Sequence, residues 1–265
     1  MKILTQNIWT PFIGSSDDIS RIDEFTESVS DYDVLMIQEA FIFTMFFMRF
    51  WGRDIYLEEK LYEKGFNHFL KGSRSMFFQN NGLFIASKYP LELISEIKFK
   101  DHEDDEMFTK KGALIFKVKD PSFSTPPVFV NTHLHCGSSH ALYMDIRKNQ
   151  LKDINDELLK YDIKSDVVLA GDLNINAIED ESNKQKEYFS LINAFGNIYD
   201  PLRYSMDITS PPDARLDYII LIKNDHLWLE NTKTIKITGK YNKFTDGISD
   251  HYGIETELVS CFEIK

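Results

Sequence analysis

The sequence has 265 residues with 43% hydrophobic and 14% aromatic content, which is enough apolar material for a substantial core and excludes a disordered chain. Its formal net charge of −12 argues against a protein held on nucleic acid by a broad basic surface. An acidic chain can still bind divalent cations, because magnesium and calcium prefer oxygen ligands. The two cysteines, Cys136 and Cys261, are too few for a disulfide framework, although they could form one bridge.

The first ten residues, MKILTQNIWT, lack the basic and apolar pattern of a signal peptide, and no run of about 18 apolar residues could span a bilayer. We therefore expect no transmembrane segment, and a protein that is cytoplasmic, exported by another route or trimmed to this form. No internal repeat, low-complexity tract or linker interrupts the sequence, so we expect residues 1–265 to form a single domain.

β-Strands are the most frequent element that the sequence predicts. Residues 2–9 place Ile3 and Thr5 on one face and Leu4 and Gln6 on the other, as the two-residue period of a strand requires. Seven later segments have a similar apolar or alternating character. The eight predicted strands are residues 2–9, 33–41, 81–87, 112–118, 127–134, 166–174, 215–222 and 251–259.

Three segments have the spacing of amphipathic helices. Apolar residues recur every three or four positions in residues 18–31 and 141–161, and a third candidate, residues 180–196, ends at Gly196. Strands that outnumber helices in this way predict two mostly antiparallel sheets packed face to face, with helices on the outside.

Residues 41–54, FIFTMFFMRFWGRD, are unusually rich in aromatic side chains. One interpretation is a buried helix that contributes only to the core. The other is an exposed apolar edge that contacts lipid through Phe46, Phe47 and Trp51, with nearby arginines suited to lipid headgroups. The sequence leaves both interpretations open.

Eight polar residues lie within or directly after predicted apolar strands: Asn7, Glu39, His133, Asp172, Asn174, Asp217, Asp250 and His251. A single aspartate or asparagine at a strand end is usually a turn former, and a single histidine usually has a structural role. Burying these groups unpaired is costly, whereas neighbouring strands can bring their ends into one pocket. Carboxylates, carboxamides and two histidines together are the groups that metal-assisted phosphoryl hydrolysis uses.

Six motifs resemble, in order, the signature segments of the endonuclease/exonuclease/phosphatase superfamily. They are TQNIW at 5–9, IQEAF at 37–41, NTHLH at 131–135, GDLN at 171–174, RLDYI at 215–219 and SDH at 249–251. The resemblance covers residues 3 to about 258. It implies the DNase I-like fold, a four-layered α/β sandwich of two mostly antiparallel sheets flanked by helices.

Within this superfamily the chain is most similar to the neutral sphingomyelinases. NTHLHCG and the following DIRKNQLKDI resemble their histidine segment and the arginine and glutamine of their next helix, here Arg147 and Gln150. GLFIASKYPL at 82–91 and KKGALIFKV at 110–118 resemble two further strands. The resemblance implies a phosphodiesterase that cleaves sphingomyelin, or a related phospholipid, to ceramide and phosphocholine at a membrane surface. It implies Mg²⁺ as the cofactor, with Mn²⁺ or Ca²⁺ as substitutes.

The resemblance also implies the metal ligands. Glu39 would be the chief ligand of magnesium, with Asn7 beside it, and the ion would hold a phosphate oxygen. Asp250 would hold a second ion or a neighbouring side chain.

The catalytic roles follow from the same resemblance. His251 would be the general base that takes a proton from the attacking water, and Asp217 would orient its imidazole. Asp172 would position the water, and Asn174 would bond the phosphate, since residues two apart on a strand share a face. His133 would bind the phosphate or the leaving oxygen as a protonated imidazole.

Two features near these motifs have more than one interpretation. The acidic run at 101–106 is typical of a solvated loop, but its closeness to TKKG also suggests a lysine, Lys110 or Lys111, that gates or binds substrate. His135 and Cys136 could be zinc ligands, although the carboxylates elsewhere fit a hard ion better.

Three other functions compete with the lipid phosphodiesterase. A nuclease would need lysines and arginines along a groove, and no such cluster is visible in the sequence. An inositol-phosphate phosphatase would need basic residues around a multiply charged ring. A binding module that has lost the chemistry is disfavoured, because every position required for catalysis is filled.

Overall fold

Two six-stranded β-sheets form the centre of the molecule in this computed structural model. The structure describes residues 1–10, 18–45, 48–50, 52–73, 77–100, 111–137, 141–178, 185–223, 225–239 and 247–260. In spatial order, the first sheet contains β14 (Leu227–Ile235), β15 (Gly253–Ser260), β1 (Lys2–Asn7), β2 (Val34–Gln38), β7 (Phe84–Ser87) and β5 (His68–Lys71). The second contains β12 (Ile198–Tyr199), β13 (Asp217–Ile222), β11 (Val167–Asp172), β10 (Val128–His133), β9 (Gly112–Val118) and β8 (Leu91–Lys98).

The two sheets are mostly antiparallel, as predicted, with one parallel pair in each. β1 pairs in parallel with β2, and β10 pairs in parallel with β11, whereas the other strand pairs of both sheets are antiparallel. A parallel pair brings the carboxyl ends of two strands to the same edge. The last residues of β1 and β2, and those of β10 and β11, are therefore neighbours.

Helices cover the outer face of each sheet. α1 (Asp18–Ser28) and α2 (Arg53–Glu63) pack on the first sheet, and α3 (Ala141–Lys160) and α4 (Gln185–Phe195) pack on the second. This arrangement confirms the predicted α/β sandwich. None of these four described helices has the length and apolar character needed to span a membrane.

Alternating side chains of the central strands build three core layers. On β1, Ile3 faces the core between the sheets, whereas Leu4 packs among the residues of the first helical layer. On β11, Val168 faces the other sheet and Leu169 packs under α3 and α4. Strands buried on both faces need apolar residues at consecutive positions, which explains the continuous apolar runs in the sequence.

The aromatic segment at 41–54 does not form the helix that one interpretation predicted. Its backbone forms β3 (Phe43–Met45) and β4 (Met48–Phe50), which join β6 (Phe77–Gln79) in a small antiparallel sheet, and α2 then begins at Arg53. Aromatic residues favour strands, so this outcome agrees with local propensity. Phe46, Phe47 and Trp51 lie outside the described residues, and lipid contact by these side chains remains a prediction.

The three predicted helices are present, while six described elements outside the segment at 41–54 were not predicted. The third helix begins at Gln185, and the predicted residues 180–184 lie outside the described ranges. The elements that the sequence pattern missed are α2, β5, β6, β8, β12 and β14. Two of them, β8 and β14, are edge strands with exposed polar residues, and this mixed character hides a strand in the sequence.

Candidate active site

Strand register places three of the predicted residues in one row. His133 at the end of β10 pairs with Asp172 at the end of β11, and Asp172 pairs with Asp217 at the start of β13. Partner residues in neighbouring strands have Cα atoms about 5 Å apart. The second sheet therefore presents an imidazole and two carboxylates side by side, and all three residues are buried.

The first sheet supplies His251, which contacts this row. The Nδ1 atom of His251 lies 2.8 Å from Oδ2 of Asp217. The backbone N–H of Asp217 donates to Oγ1 of the buried Thr209 at 3.1 Å, which fixes the start of β13. Burial alone would lower the pKa of His251, but the carboxylates of Asp217 and Asp172 outweigh it and raise this pKa well above the usual value. This geometry is that of a base oriented by a carboxylate.

Asp172 lies between the two histidines. Its Oδ2 atom is 3.4 Å from Nε2 of His133 and 3.7 Å from Nε2 of His251. The same oxygen accepts a hydrogen bond from Nδ2 of Asn7 at 3.1 Å. Burial, partly offset by the attraction of His251, raises the pKa of Asp172. A water molecule beside Oδ2 could contact both this carboxylate and Nε2 of His251.

Asn7 joins the two sheets through its amide nitrogen. Nδ2 donates to Oε1 of Glu39 at 3.0 Å as well as to Asp172, while Oδ1 accepts from the backbone N–H of Trp9 at 3.0 Å. Asn7 could present Oδ1 to a cation beside Glu39 only if its side-chain amide were flipped, which would exchange the positions of Oδ1 and Nδ2. The structure therefore brings Asn7 and Glu39 together as predicted, and the ligand role of Asn7 remains a prediction.

Glu39 is held next to Asn7 by an unusual backbone conformation. It follows β2 with a φ of 58°, a region that few non-glycine residues adopt. Gly82 lies against it, since a Cβ atom at Gly82 would come within 3.1 Å of the Cα atom of Glu39 and 2.8 Å of the ring of Phe41. Strained backbone of this kind is frequent at functional sites. Burial raises the pKa of Glu39 to about 7, although the hydrogen bond from Asn7 lowers it.

Asp250 adds a third carboxylate with a raised pKa. Burial is the main cause, and the neighbouring charge of His251 acts in the opposite direction. Its Oδ1 atom accepts a hydrogen bond from Oγ of Ser249 at 3.2 Å. Its charge also raises the pKa of Glu39, so the two carboxylates affect each other.

Asn174 contacts the site by a different route from the one predicted. The strand ends at Asp172, and Asn174 has a left-handed φ of 52°, so the two residues do not share the face of a strand. Instead, the backbone N–H of Asn174 donates to Oδ1 of Asp172 at 3.0 Å in a local turn. Its Nδ2 atom donates to the carbonyl oxygen of Leu134 at 3.1 Å, which places it beside the loop after β10.

His133 lies next to the side chain of Lys111. Nζ of the buried Lys111 lies 2.8 Å from Nε2 of His133 and also donates to the carbonyl oxygen of Leu134 at 2.8 Å. Burial and the charges of Lys111 and His251 lower the pKa of His133 well below the usual value. This lowered pKa disfavours the protonated imidazole that the resemblance implies, and the role of His133 remains a prediction. The ammonium group of Lys111 lies next to the imidazole and carries positive charge at this position.

The loop after His133 is held by the two helix residues that the sequence motif singled out. Oε1 of Gln150 accepts a hydrogen bond from the backbone N–H of His135 at 2.8 Å. Arg147 donates a hydrogen bond to the carbonyl oxygen of His135 at 3.0 Å. His135 packs against the ring of Tyr143, whereas Cys136 is exposed. Among the described residues, this pair does not form part of a cluster with metal-ligand geometry. Cys261 and the acidic run at 101–106 lie outside the described ranges.

The sequence interpretation missed a buried polar contact beneath the site. Nε2 of Gln38 donates to Oδ1 of Asn131 at 2.7 Å, and Nδ2 of Asn131 donates to the carbonyl oxygen of Ile37 at 3.1 Å. Gln38 precedes Glu39, and Asn131 lies two residues before His133. This contact therefore joins the strands that position them. Two amides inside otherwise apolar strands were the signal that could have identified them.

The arrangement of carboxylates fits a divalent cation. Glu39, Asp172 and Asp250 are carboxylates whose pKa values burial raises, and no lysine or arginine forms an ion pair with Glu39 among the described residues. Oxygen ligands of this type suit magnesium, manganese or calcium. The ligand atoms of Asp172, Asp217 and His251 also lie within 4.8 Å of one another. However, two of these three groups bond each other, so Glu39 is the better candidate for the principal ligand.

Comparison with known proteins gives relatives that are named as sphingomyelinases. Sphingomyelinase C from Bacillus cereus is 30% identical over 212 residues, which cover 68% of this chain and 62% of that protein. The chain thus spans less than two thirds of the length of this relative.

Solved structures support the fold. A mutant beta toxin from Staphylococcus aureus with bound magnesium ions has a TM-score of 0.70 and 20% identity, covering 96% of this chain and 98% of that one. A D. rerio TDP2 complexed with single-strand DNA product has a TM-score of 0.69 and 16% identity, covering 98% of both chains. At these identities the likeness concerns the fold alone. The sequence profile of the Endonuclease/Exonuclease/phosphatase family matches residues 4–251, a range that contains every site residue described above, and the chain therefore belongs to that family.

Proposed function

We propose that this protein is a magnesium-dependent phosphodiesterase that hydrolyses sphingomyelin to ceramide and phosphocholine. The observation that carries the proposal is the hydrogen-bonded Asp217–His251 pair, whose free ring nitrogen faces Asp172 beside Glu39. Such an oriented imidazole next to clustered carboxylates is suited to activate water for attack on phosphorus.

In this reaction His251 accepts the proton of the attacking water at Nε2. Its Nδ1 atom remains bonded to Asp217, which orients the ring and stabilises the imidazolium that forms. Asp172 holds the water through Oδ2, which lies 3.7 Å from Nε2 of His251. The proton moves to Nε2 of His251 as the oxygen of water bonds to phosphorus. The bond from phosphorus to the ceramide oxygen breaks, and that oxygen takes up a proton from solvent.

Positive charge and hydrogen-bond donors for the phosphate come from the second sheet. Lys111 carries the ammonium group nearest to His133, and Asn174 offers its amide beside the same loop. A preformed donor set of this kind stabilises charge that develops on phosphate oxygens. Because Lys111 donates to Nε2 of His133, the imidazole positions the lysine rather than contributing a charge of its own.

Glu39 would hold the cation, with Asn7 and Asp250 as further ligands. The ion supplies a charge that offsets the negative phosphate oxygens as the transition state forms. Manganese or calcium could substitute, since both also accept carboxylate and amide oxygens.

The choice of sphingomyelin rests on the relatives and on charge. The matched Bacillus cereus protein is a sphingomyelinase C. A zwitterionic headgroup requires no basic track, so a chain with a net charge of −12 can bind it. We also propose that the substrate is reached at a membrane surface, because the lipid has its phosphate at the interface.

The test is release of phosphocholine from sphingomyelin vesicles, with magnesium or with a chelator, beside nicking of a plasmid by the same preparation. His251→Ala and Glu39→Ala should each lose activity with the fold intact, as judged by circular dichroism. His226→Ala is a matched control, because His226 is exposed and lies at the start of β14. It should retain full activity.

Magnesium-dependent release of phosphocholine without nicking would support the proposal. Nicking without release would move the substrate to nucleic acid while keeping the catalytic residues. Full activity in a folded His251→Ala protein would contradict the assignment of the base.

A further inference from the structure

Arg21 is a buried arginine on α1 that no predicted motif contains. Only 3% of its side chain is exposed, and its guanidinium donates at least four hydrogen bonds to described residues. The acceptors are the carbonyl oxygens of Ile8 at 3.0 Å, Trp9 at 2.7 Å and Ile248 at 2.7 Å, and Oδ1 of Asp18 at 2.5 Å. A guanidinium is planar, so its donors hold these acceptors in a fixed geometry.

The three carbonyl groups belong to two segments of the site. Ile8 and Trp9 directly follow Asn7 at the end of β1. Ile248 precedes His251 by three residues, in the loop before β15. One side chain therefore connects the backbone that carries the candidate metal ligand with the backbone that carries the base.

A second arginine extends this connection to Glu39. Oδ2 of Asp18 pairs with Arg53 at 2.7 Å, and Arg53 donates to the carbonyl oxygen of Thr10 at 3.3 Å. The hydroxyl of Thr10 in turn donates to the carbonyl oxygen of Glu39 at 2.6 Å. Three consecutive carbonyl groups, at residues 8 to 10, are thus held by two arginines that share one carboxylate.

Gln6 of β1 makes a similar connection. Its Nε2 atom donates to the carbonyl oxygens of Asn7 at 2.7 Å and His251 at 3.0 Å. Two independent side chains therefore join the same pair of segments. The Asn7 and His251 segments are thus joined twice. Satisfying the donors of one buried arginine would require only the bonds of Arg21 itself.

We propose that Arg21 is a positioning residue that fixes the Asn7 segment relative to the His251 segment. The expected effect on catalysis rests on the proposed function, because only a phosphodiesterase needs both segments to act on one phosphate. Arg21 does not contact the reacting atoms. A displacement of about 1 Å between catalytic groups can reduce turnover by about 100-fold, so a loosened connection is costly to catalysis.

The first test replaces Arg21 by methionine, which keeps an unbranched apolar stem and removes every donor. Phosphocholine release by Arg21→Met should fall about 10- to 100-fold in kcat with a smaller change in KM. Arg21→Lys, which keeps the charge and fewer donors, should lie between this variant and the unchanged protein. The stability control is Asp166→Asn, which removes charge from a buried carboxylate at the opposite end of β11 and should retain kcat.

A double-mutant cycle separates positioning from general stability. If Arg21 acts through the Asn7 segment, Arg21→Met should reduce kcat much less in an Asn7→Ala protein than in the unchanged one. Equal reductions in both backgrounds would overturn the inference.

Amide hydrogen exchange tests the same connection without any substrate. In Arg21→Met the N–H groups of Thr10 and Ile248 should exchange faster together, whereas Asp166→Asn should leave both unchanged. Faster exchange in a protein that never releases phosphocholine would sustain the positioning role and refute the proposed function. Unchanged exchange together with full kcat would refute the positioning role. If Arg21→Met does not fold, kcat and amide hydrogen exchange are measured on Arg21→Lys instead. The same outcomes then support or refute the positioning role.

Discussion

Two buried aspartates at opposite ends of β11 have very different surroundings. Asp166, directly before the strand, accepts the backbone N–H groups of Asp225, His226 and Leu227 at 2.9, 2.7 and 2.7 Å. These three donors fully engage its carboxylate and fix the start of β14. Asp166 therefore has the surroundings of a structural residue.

Asp172, at the other end, has fewer donors and more charged neighbours. One backbone N–H, from Asn174, and one amide, from Asn7, donate to it, and both histidines lie within 4 Å. Burial raises its pKa, as it does for Glu39 and Asp250 at the same end. Burial alone therefore does not identify a functional carboxylate. Incomplete satisfaction of its charge is the distinguishing property.

Asp172→Asn should have the largest effect on catalysis. We expect a loss of about 1000-fold in kcat, because the water loses its acceptor, with an unfolding temperature that is unchanged or higher. The measurements are phosphocholine release and thermal unfolding of the same sample. A large drop in unfolding temperature would show that Asp172 is a structural residue like Asp166, and would refute the difference between the two aspartates.

Asp217→Asn should reduce kcat about 100-fold and shift the pH profile. The charge of Asp217 raises the pKa of His251 against the opposing effect of burial, so its removal lowers that pKa. A base must be unprotonated, and the acid limb of kcat/KM should therefore move to lower pH. Asp166→Asn is the control, and the acid limb of its kcat/KM profile should stay where it is in the unchanged protein. An acid limb that stays in place in Asp217→Asn would argue that another group is the base.

Asp166→Asn should show the opposite behaviour to Asp172→Asn. Loss of the charge that accepts three backbone N–H groups should reduce the free energy of unfolding by about 3 kcal/mol. Turnover per folded molecule should remain unchanged. Urea unfolding and phosphocholine release measure the two quantities, and a matching loss of kcat would mean that the two ends of β11 are coupled.

Glu39→Gln should change the free energy of unfolding less than Asp166→Asn does, and in the opposite direction. The pKa of Glu39 is about 7 in the folded protein against an ordinary 4.5, so the folded state retains its proton longer and loses stability as pH rises between these values. With a chelator present at pH 8, the variant should be more stable by about 2 kcal/mol, and near pH 4 the difference should vanish. Thermal unfolding at both pH values tests this. An advantage of equal size at both would rule out ionisation of Glu39 as the cause.

The central strands could be predicted because both of their faces are buried. Residues Val167–Asp172 are buried at every position, so their apolar run was unmistakable. β14 alternates buried and exposed positions at one edge of its sheet, and its polar residues hid it. The segment at 41–54 was taken as one element, which concealed both the strands within it and the start of α2.

The composition of the site could be predicted, whereas its connections could not. His133, Asp172 and Asp217 each lie at the end of an apolar strand, and the motifs identified them. Register between strands, which makes them neighbours, is a property of tertiary structure. Nothing in a local pattern distinguishes Arg21 from a surface arginine on an amphipathic helix, because its acceptors are distant in the sequence.

The most direct test of the central claim is hydrolysis of sphingomyelin in oxygen-18 water with magnesium present. We expect magnesium-dependent release of phosphocholine that carries one oxygen-18 atom in its phosphate, with none in ceramide. Oxygen-18 in ceramide, or no magnesium-dependent release, would contradict the attack of water on phosphorus at this site.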